Sequence, residues 1–150
     1  MTYDLKLERL IDATPEEVFH AFTDPEAHKS WYEDNPGWNV ESSVDLRVGG
    51  VWSTSFGAAG QPPHREVNTF TVVERPSRLE YRSTFHDADG TSFDTELVVT
   101  FEARGDKTML TIVQAGFEEQ QDRDDHQGGW PAFIDRLEQY AVSAHHRSTS

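Results

Sequence analysis

Between Trp38 and Phe117 the chain alternates apolar and polar residues with a period of two, and Gly49-Gly50, Asp89-Gly90 and Arg104-Gly105-Asp106 cut that alternation into short runs. Few folds accept such a pattern, because each run must turn one face to a core. Short connections between the runs join neighbours antiparallel. Six strands are expected here, at 38–46, 51–57, 65–74, 78–87, 92–103 and 107–117. A seventh precedes them: Leu5, Leu7, Arg9, Ile11 and Ala13 alternate with Lys6, Glu8, Leu10 and Asp12, so a strand ends near Ala13.

Two short helices interrupt this plan. Thr14-Pro15-Glu16-Glu17 offers a capping hydroxyl, a proline at the first helical position and a glutamate three residues after the cap, which starts a helix reaching about Thr23. Asp24-Pro25-Glu26 repeats the signal for a second helix toward Trp31. Beyond Phe117 a polar stretch, Glu118 to Gln127, leads through Gly128-Gly129-Trp130-Pro131 to Phe133, Ile134, Leu137, Tyr140, Ala141 and Ala144. That spacing lays an apolar stripe along a helix of about 15 to 20 residues, long enough to cover one face of a sheet, and the tail His145 to Ser150 is expected to fray. The result is one α+β domain over 1–150.

Composition narrows the partners. Thirteen Lys+Arg against 27 Asp+Glu leave a formal charge of -14, which repels phosphate backbones and anionic lipid. Neither nucleic acid nor a membrane is expected. The N-terminus lacks a signal-peptide core and no segment is apolar enough to span a bilayer, so a cytoplasmic location is the expectation. With nine Phe, four Tyr and four Trp, the chain has enough bulky apolar material for a core.

Few residues offer chemistry. Zero cysteines exclude thiolate nucleophiles and Cys-based metal sites. The seven histidines show no i, i+4 pair on a helix of the kind that zinc hydrolases use, and Asp122, Asp124, Asp125 and His126 lack the glycine and distal glutamate of a calcium loop, so they read as a solvated face. Nucleophile-elbow and phosphate-loop motifs are missing as well. No metal, no cofactor and no catalytic residue are expected. Gly57-Ala58-Ala59-Gly60 reads as a hairpin, and Arg9, which interrupts an apolar strand face, either clamps a carboxylate or packs its stem on apolar neighbours.

The order of elements, strand, two short helices, antiparallel strands and long helix, resembles the helix-grip fold of the START-like (SRPBCC) superfamily. Ala13-x-x-Glu16-x-Val18-Phe19-x-Ala21-x-Thr23-Asp24-Pro25-Glu26, Trp31, Asp45-x-Arg47-x-Gly49-Gly50-x-Trp52, Pro76-x-Arg78-Leu79-x-Tyr81 and Gly129-Trp130-x-x-x-Ile134-Asp135-x-Leu137 resemble its bacterial branch related to the activator of heat shock protein 90 ATPase. These motifs span nearly the whole chain. Thr14, Arg75 and Asn68 depart from the family pattern as turn and packing variants, and Gln114 stands in place of a common histidine. The eukaryotic activators carry a separate N-terminal domain, for which 150 residues leave no room, so chaperone activation is not implied.

The resemblance implies a curved sheet of about seven strands, with a cavity between it and the C-terminal helix that suits a small hydrophobic ligand, in a carrier or sensor. The residues it points to are Trp31, Trp52, Phe70, Tyr81, Gln114, Trp130, Phe133 and Leu137, against the alternative that these rings simply fill the core. Leu110, Ile112 and Gln114 share a face that looks toward such a cavity, and Asp45, Arg47 and the two glycines read as structural. A cyclase-like or dehydratase-like enzyme is a second reading, with His86 and Glu66, or Tyr81 and Gln114, as acid and base, and a co-chaperone-like interaction module is a third. If Phe133 is core, its replacement by Ala costs about 3 to 5 kcal/mol.

Overall fold

A computed structural model describes residues 2–31 and 37–149. Seven strands, β1 (Tyr3–Ile11), β2 (Trp38–Val44), β3 (Val51–Ala58), β4 (His64–Glu74), β5 (Arg78–His86), β6 (Ser92–Arg104) and β7 (Lys107–Phe117), form one antiparallel sheet in the order β1-β7-β6-β5-β4-β3-β2. The period-two runs thus fold as a meander of nearest neighbours. The exception is β1, which closes the sheet by pairing with the last strand, Leu7 opposite Ile112 and Arg9 opposite Leu110.

The helices α1 (Pro15–Thr23) and α2 (Pro25–Ser30) form where the capping signals stand. Thr14 Oγ1 accepts from the Glu17 backbone N–H at 3.3 Å while Glu17 Oε1 accepts from the Thr14 N–H at 3.0 Å, the reciprocal arrangement that removes two orphan donors. Asp24 caps α2 by accepting from the Glu26 N–H at 3.0 Å. The turn into β3 explains the Asp45-Arg47-Gly49-Gly50 signature. Arg47 Nε donates to Asp45 Oδ2 at 2.7 Å, Gly49 takes a φ of +82°, and a Cβ on Gly50 would stand 2.1 Å from the Asp45 carbonyl oxygen.

The C-terminal helix departs most from expectation. It runs as α3 from Gln120 to Thr149, 30 residues, and absorbs the polar stretch, both glycines, Pro131 and the tail that was expected to fray. Its apolar stripe is Trp130, Ile134, Leu137 and Ala141, all buried at spacings of four, three and four. Those contacts, against α1, β1 and α2, supply what the local propensity of Gly-Gly-Trp-Pro denies. Tyr140 adds a hydroxyl bond to Asp24 Oδ2 at 2.9 Å, fastening α3 to the junction of α1 and α2. Arg9 clamps carboxylates, those of the protein's own Asp135 and, at 3.4 Å, Glu138, so that it ties β1 to the outer side of α3.

The inward face of the sheet is not uniform. At one end Phe70, Leu79, Val99, Phe101, Leu110 and Ile112 are buried with Phe19 and Phe22 of α1 in a continuous apolar core. Toward the other end the same inward positions change to Asn68, Ser83 and Thr95, which face one another across β4, β5 and β6. All three are buried. Asn68 therefore sits inside β4 on its inward face, a packing position.

Candidate functional site

Past this polar row the sheet and α3 separate around a cavity of about 250 Å³. Its walls are Trp52, Thr54 and Phe56 from β3, His64 and Glu66 from β4, Phe85 from β5 and Gln114 from β7, with His28 of α2, Trp31, Trp38 of β2, and Asp125, His126, Gly129, Trp130 and Phe133 of α3. Five of the residues expected from sequence, Trp31, Trp52, Gln114, Trp130 and Phe133, stand on that wall. Phe70, Tyr81 and Leu137 do not; they are almost wholly buried in the core, where Tyr81 packs edge-on to Phe70 at 5.9 Å.

The rings hold one another in place. Trp31 lies 6.1 Å from both Trp52 and Phe133, and Phe133 meets Trp130 edge-on at 6.2 Å. On the far side Phe56 stacks with Trp38 at 6.1 Å and with His64 at 5.4 Å, and Phe85 meets the His126 ring edge-on at 5.4 Å. Offset and edge-on pairs of this kind resist collapse, because each ring is wedged by the next.

Two polar devices fix the wall. Gln114 takes the amide orientation in which its Nε2 donates to Thr95 Oγ1 and its Oε1 accepts from Trp130 Nε1, both at 2.9 Å, linking β6, β7 and α3. The other runs from Trp52 to α1. Trp52 Nε1 can only donate, here to Thr54 Oγ1 at 2.9 Å, and the Phe22 carbonyl, 2.7 Å from His28 Nε2, can only accept. With the ring neutral, as its burial requires, the direction of every link between them follows: Ser42 donates to His28 Nδ1 at 2.7 Å and Thr54 donates to Ser42 Oγ at 3.2 Å. The His28 proton then sits on Nε2. Burial lowers its pKa from 6.5 to about 4, against the opposing pull of the Phe22 carbonyl and Asp24.

Glu66 is the acidic group on the floor of the cavity. Burial raises its pKa above the usual carboxylate range, with Asn68, His126 and Ser83 acting in the opposite direction. Ser83 Oγ lies 3.4 Å from Glu66 Oε1. The neighbouring Tyr81 hydroxyl, buried without a hydrogen-bond partner, has its own pKa raised by burial first and by Glu66 second. His126 donates through Nδ1 to the Asp122 carbonyl at 3.0 Å, and His64 pairs with Asp87 at 3.0 Å.

This arrangement corrects the acid–base pairs considered from sequence. His86 is exposed on the outer face of β5, away from Glu66, whereas Gln114 is spent on Thr95 and Trp130 and not on Tyr81. His28, Thr54, Phe56, His64, Phe85 and His126 were missed. For the strand residues a signal existed, since each occupies the inward parity of its run; His126 was hidden by the polar composition around it. Among the described residues no group of three or more His, Asp or Glu side chains is placed to hold a metal ion. No helix among them is long and apolar enough to cross a membrane.

A seven-stranded antiparallel sheet with two short helices before its second strand, gripping a long C-terminal helix over a ligand-sized cavity, defines the helix-grip, START-like class. Residues 12–141 match the family described as Activator of Hsp90 ATPase homolog 1-like protein, and the chain belongs to that family. Among solved structures it is similar to protein CV1439 of Chromobacterium violaceum, with 27% identity, a TM-score of 0.77 and coverage of 92% of this chain and 96% of that one. It is also similar to the AHSA1-like protein of Aeromonas hydrophila, with 27% identity, a TM-score of 0.75 and coverage of 95% and 94% respectively. Protein Ms6760 of Mycobacterium smegmatis, 16% identical over 90% of this chain and 88% of that one, shares the fold with a TM-score of 0.72. None of the curated proteins matches this sequence.

Proposed function

We propose that the protein binds a small hydrophobic molecule between its sheet and α3, as a carrier or sensor. The observation that carries this reading is the cavity itself: about 250 Å³ walled by seven aromatic rings of Phe and Trp and edged by a few polar groups. At that size the space lies near the lower end for ligand sites and suits a small molecule. A single aromatic ring with a short side chain fits. Trp31, Trp52, Gln114, Trp130 and Phe133 are the proposed contacts. Phe70, Tyr81 and Leu137 support the wall from behind.

The test is native mass spectrometry of protein purified from its own host, followed by extraction of whatever remains bound. Recovery of an apolar molecule of this size, together with quenching of tryptophan fluorescence when it is added back, is the expected outcome. Protein that arrives empty and whose fluorescence does not respond to a panel of small aromatic compounds would overturn the reading.

A further inference from the structure

The charge and ring content of the cavity go further than its size. No Lys or Arg stands among its described lining residues, while Glu66 and Asp125 both do. Glu66 is the deeper of the two in its setting: it stands near the start of β4, opposite Thr54 on one side and Phe85 on the other. None of the ion pairs among the described residues involves it. Ser83 Oγ reaches it only at 3.4 Å, and the neighbouring hydroxyl of Tyr81 is buried without a hydrogen bond. A carboxyl group held beside an unsatisfied hydroxyl, with no Lys or Arg to meet it and only the His126 ring near it, costs stability unless a ligand supplies the missing charge or donor.

The rest of the wall suits the same visitor. Trp31, Trp38, Trp52 and Trp130, with Phe56, Phe85 and Phe133, surround the space, and the negative faces of such rings attract a cation while their bulk accepts an apolar body. An anion meets the reverse at the ring faces and at Glu66, within a protein whose net charge is -14. The unpartnered Nε1 of Trp31 leaves one donor for an acceptor atom on the ligand, which an amine carrying a hydroxyl or ether also provides.

From this juxtaposition of Glu66, which has no Lys or Arg partner, with an aromatic box, we infer that the ligand class is a small aromatic or aliphatic amine bound as its ammonium ion, and not a carboxylic acid. This rests on the ligand-binding reading above and adds its charge. Three probes of nearly equal shape test it, phenethylamine, phenethyl alcohol and phenylacetate, each titrated into the intact protein at neutral pH and followed by tryptophan fluorescence and calorimetry. The amine is expected to bind about tenfold or more tighter than the acid, with the alcohol between them. Added salt weakens the amine and leaves the alcohol unchanged. In Glu66→Gln the amine loses its advantage over the alcohol.

Phenylacetate binding as tightly as the amine would overturn the inference. So would an amine preference that survives Glu66→Gln in a variant whose circular dichroism matches the parent. If the alcohol binds and the amine shows no preference, the cavity still takes ligands and only the charge assignment falls. If none of the three binds, both readings fall together.

Discussion

His28 shows how a single buried ring can set a pH limit on the whole protein. Burial disfavours the charged ring and lowers its pKa from about 6.5 in the unfolded chain to about 4 in the fold, against the raising effects of the Phe22 carbonyl and Asp24. Between those values the unfolded chain binds the extra proton. The contribution of His28 is therefore fully present above pH ~6.5 and is lost as the pH falls toward ~4, by up to about 3 kcal/mol. Denaturant titrations at pH 7 and pH 5 should show a drop in stability, and His28→Gln should flatten the part of that slope that belongs to histidine; an equal slope in the variant would contradict the assignment. Gly50 makes a second prediction at this scale. Because a Cβ there would meet the Asp45 carbonyl at 2.1 Å, a backbone atom that cannot swing aside, Gly50→Ala should cost about 1 to 3 kcal/mol in a thermal or denaturant melt, and a neutral outcome would mean that the turn relaxes freely.

At the scale of elements, α3 is both wall and clamp, and two of its residues separate those duties. Leu137 is 1% exposed among core residues, so Leu137→Ala should cost about 2 to 5 kcal/mol. Phe133 is only half-buried, because one side of its ring faces the cavity. The larger loss expected on the premise that Phe133 is core does not apply; Phe133→Ala should cost about 1 kcal/mol and enlarge the cavity, so that bulkier probes bind and small ones bind more weakly. Equal destabilisation by the two substitutions would show that the ring is packed on all sides. This helix also marks where the sequence was hardest to read. Its apolar stripe was legible from Phe133 to Ala141, but Gly128, Gly129 and Pro131 are helix breakers by local propensity, and only burial of Trp130 and Ile134 shows that tertiary packing overrides them. The strands, by contrast, were legible almost to the residue, since period-two burial and glycine turns are local signals that nothing distant reverses.

At the scale of the molecule, the cavity illustrates why sites resist reading from sequence. Its wall draws on β2, β3, β4, β5, β7, α2 and α3, so residues as far apart as His28 and Phe133 become neighbours only after the sheet and helix close. Aromatic content identified Trp31, Trp52, Trp130 and Phe133, but it identified Phe70 and Tyr81 equally, because a ring on the inward face looks the same whether the space before it is filled or open. What distinguishes the two halves of that face is the row Asn68, Ser83 and Thr95, a polar interruption at inward parity in three successive strands. Charge acts over the same scale. Even if every one of the 13 Lys and Arg met a carboxylate, the 27 Asp and Glu would leave 14 without a cation. The observed pairs are mostly exposed, such as Arg47 with Asp45 and Arg82 with Asp94, and such contacts contribute about 0 to 1 kcal/mol each. Repulsion among the surplus carboxylates therefore outweighs attraction, and screening it should stabilise the fold. Melting in sodium chloride raised from about 0.01 M to 0.5 M, which shortens the screening length from about 30 Å to a few ångströms, should lift the midpoint by about 3 °C or more. A midpoint that falls instead would mean that the ion pairs between elements, Arg9 with Asp135 and Glu138 and Arg75 with Glu16, contribute more than their exposure implies.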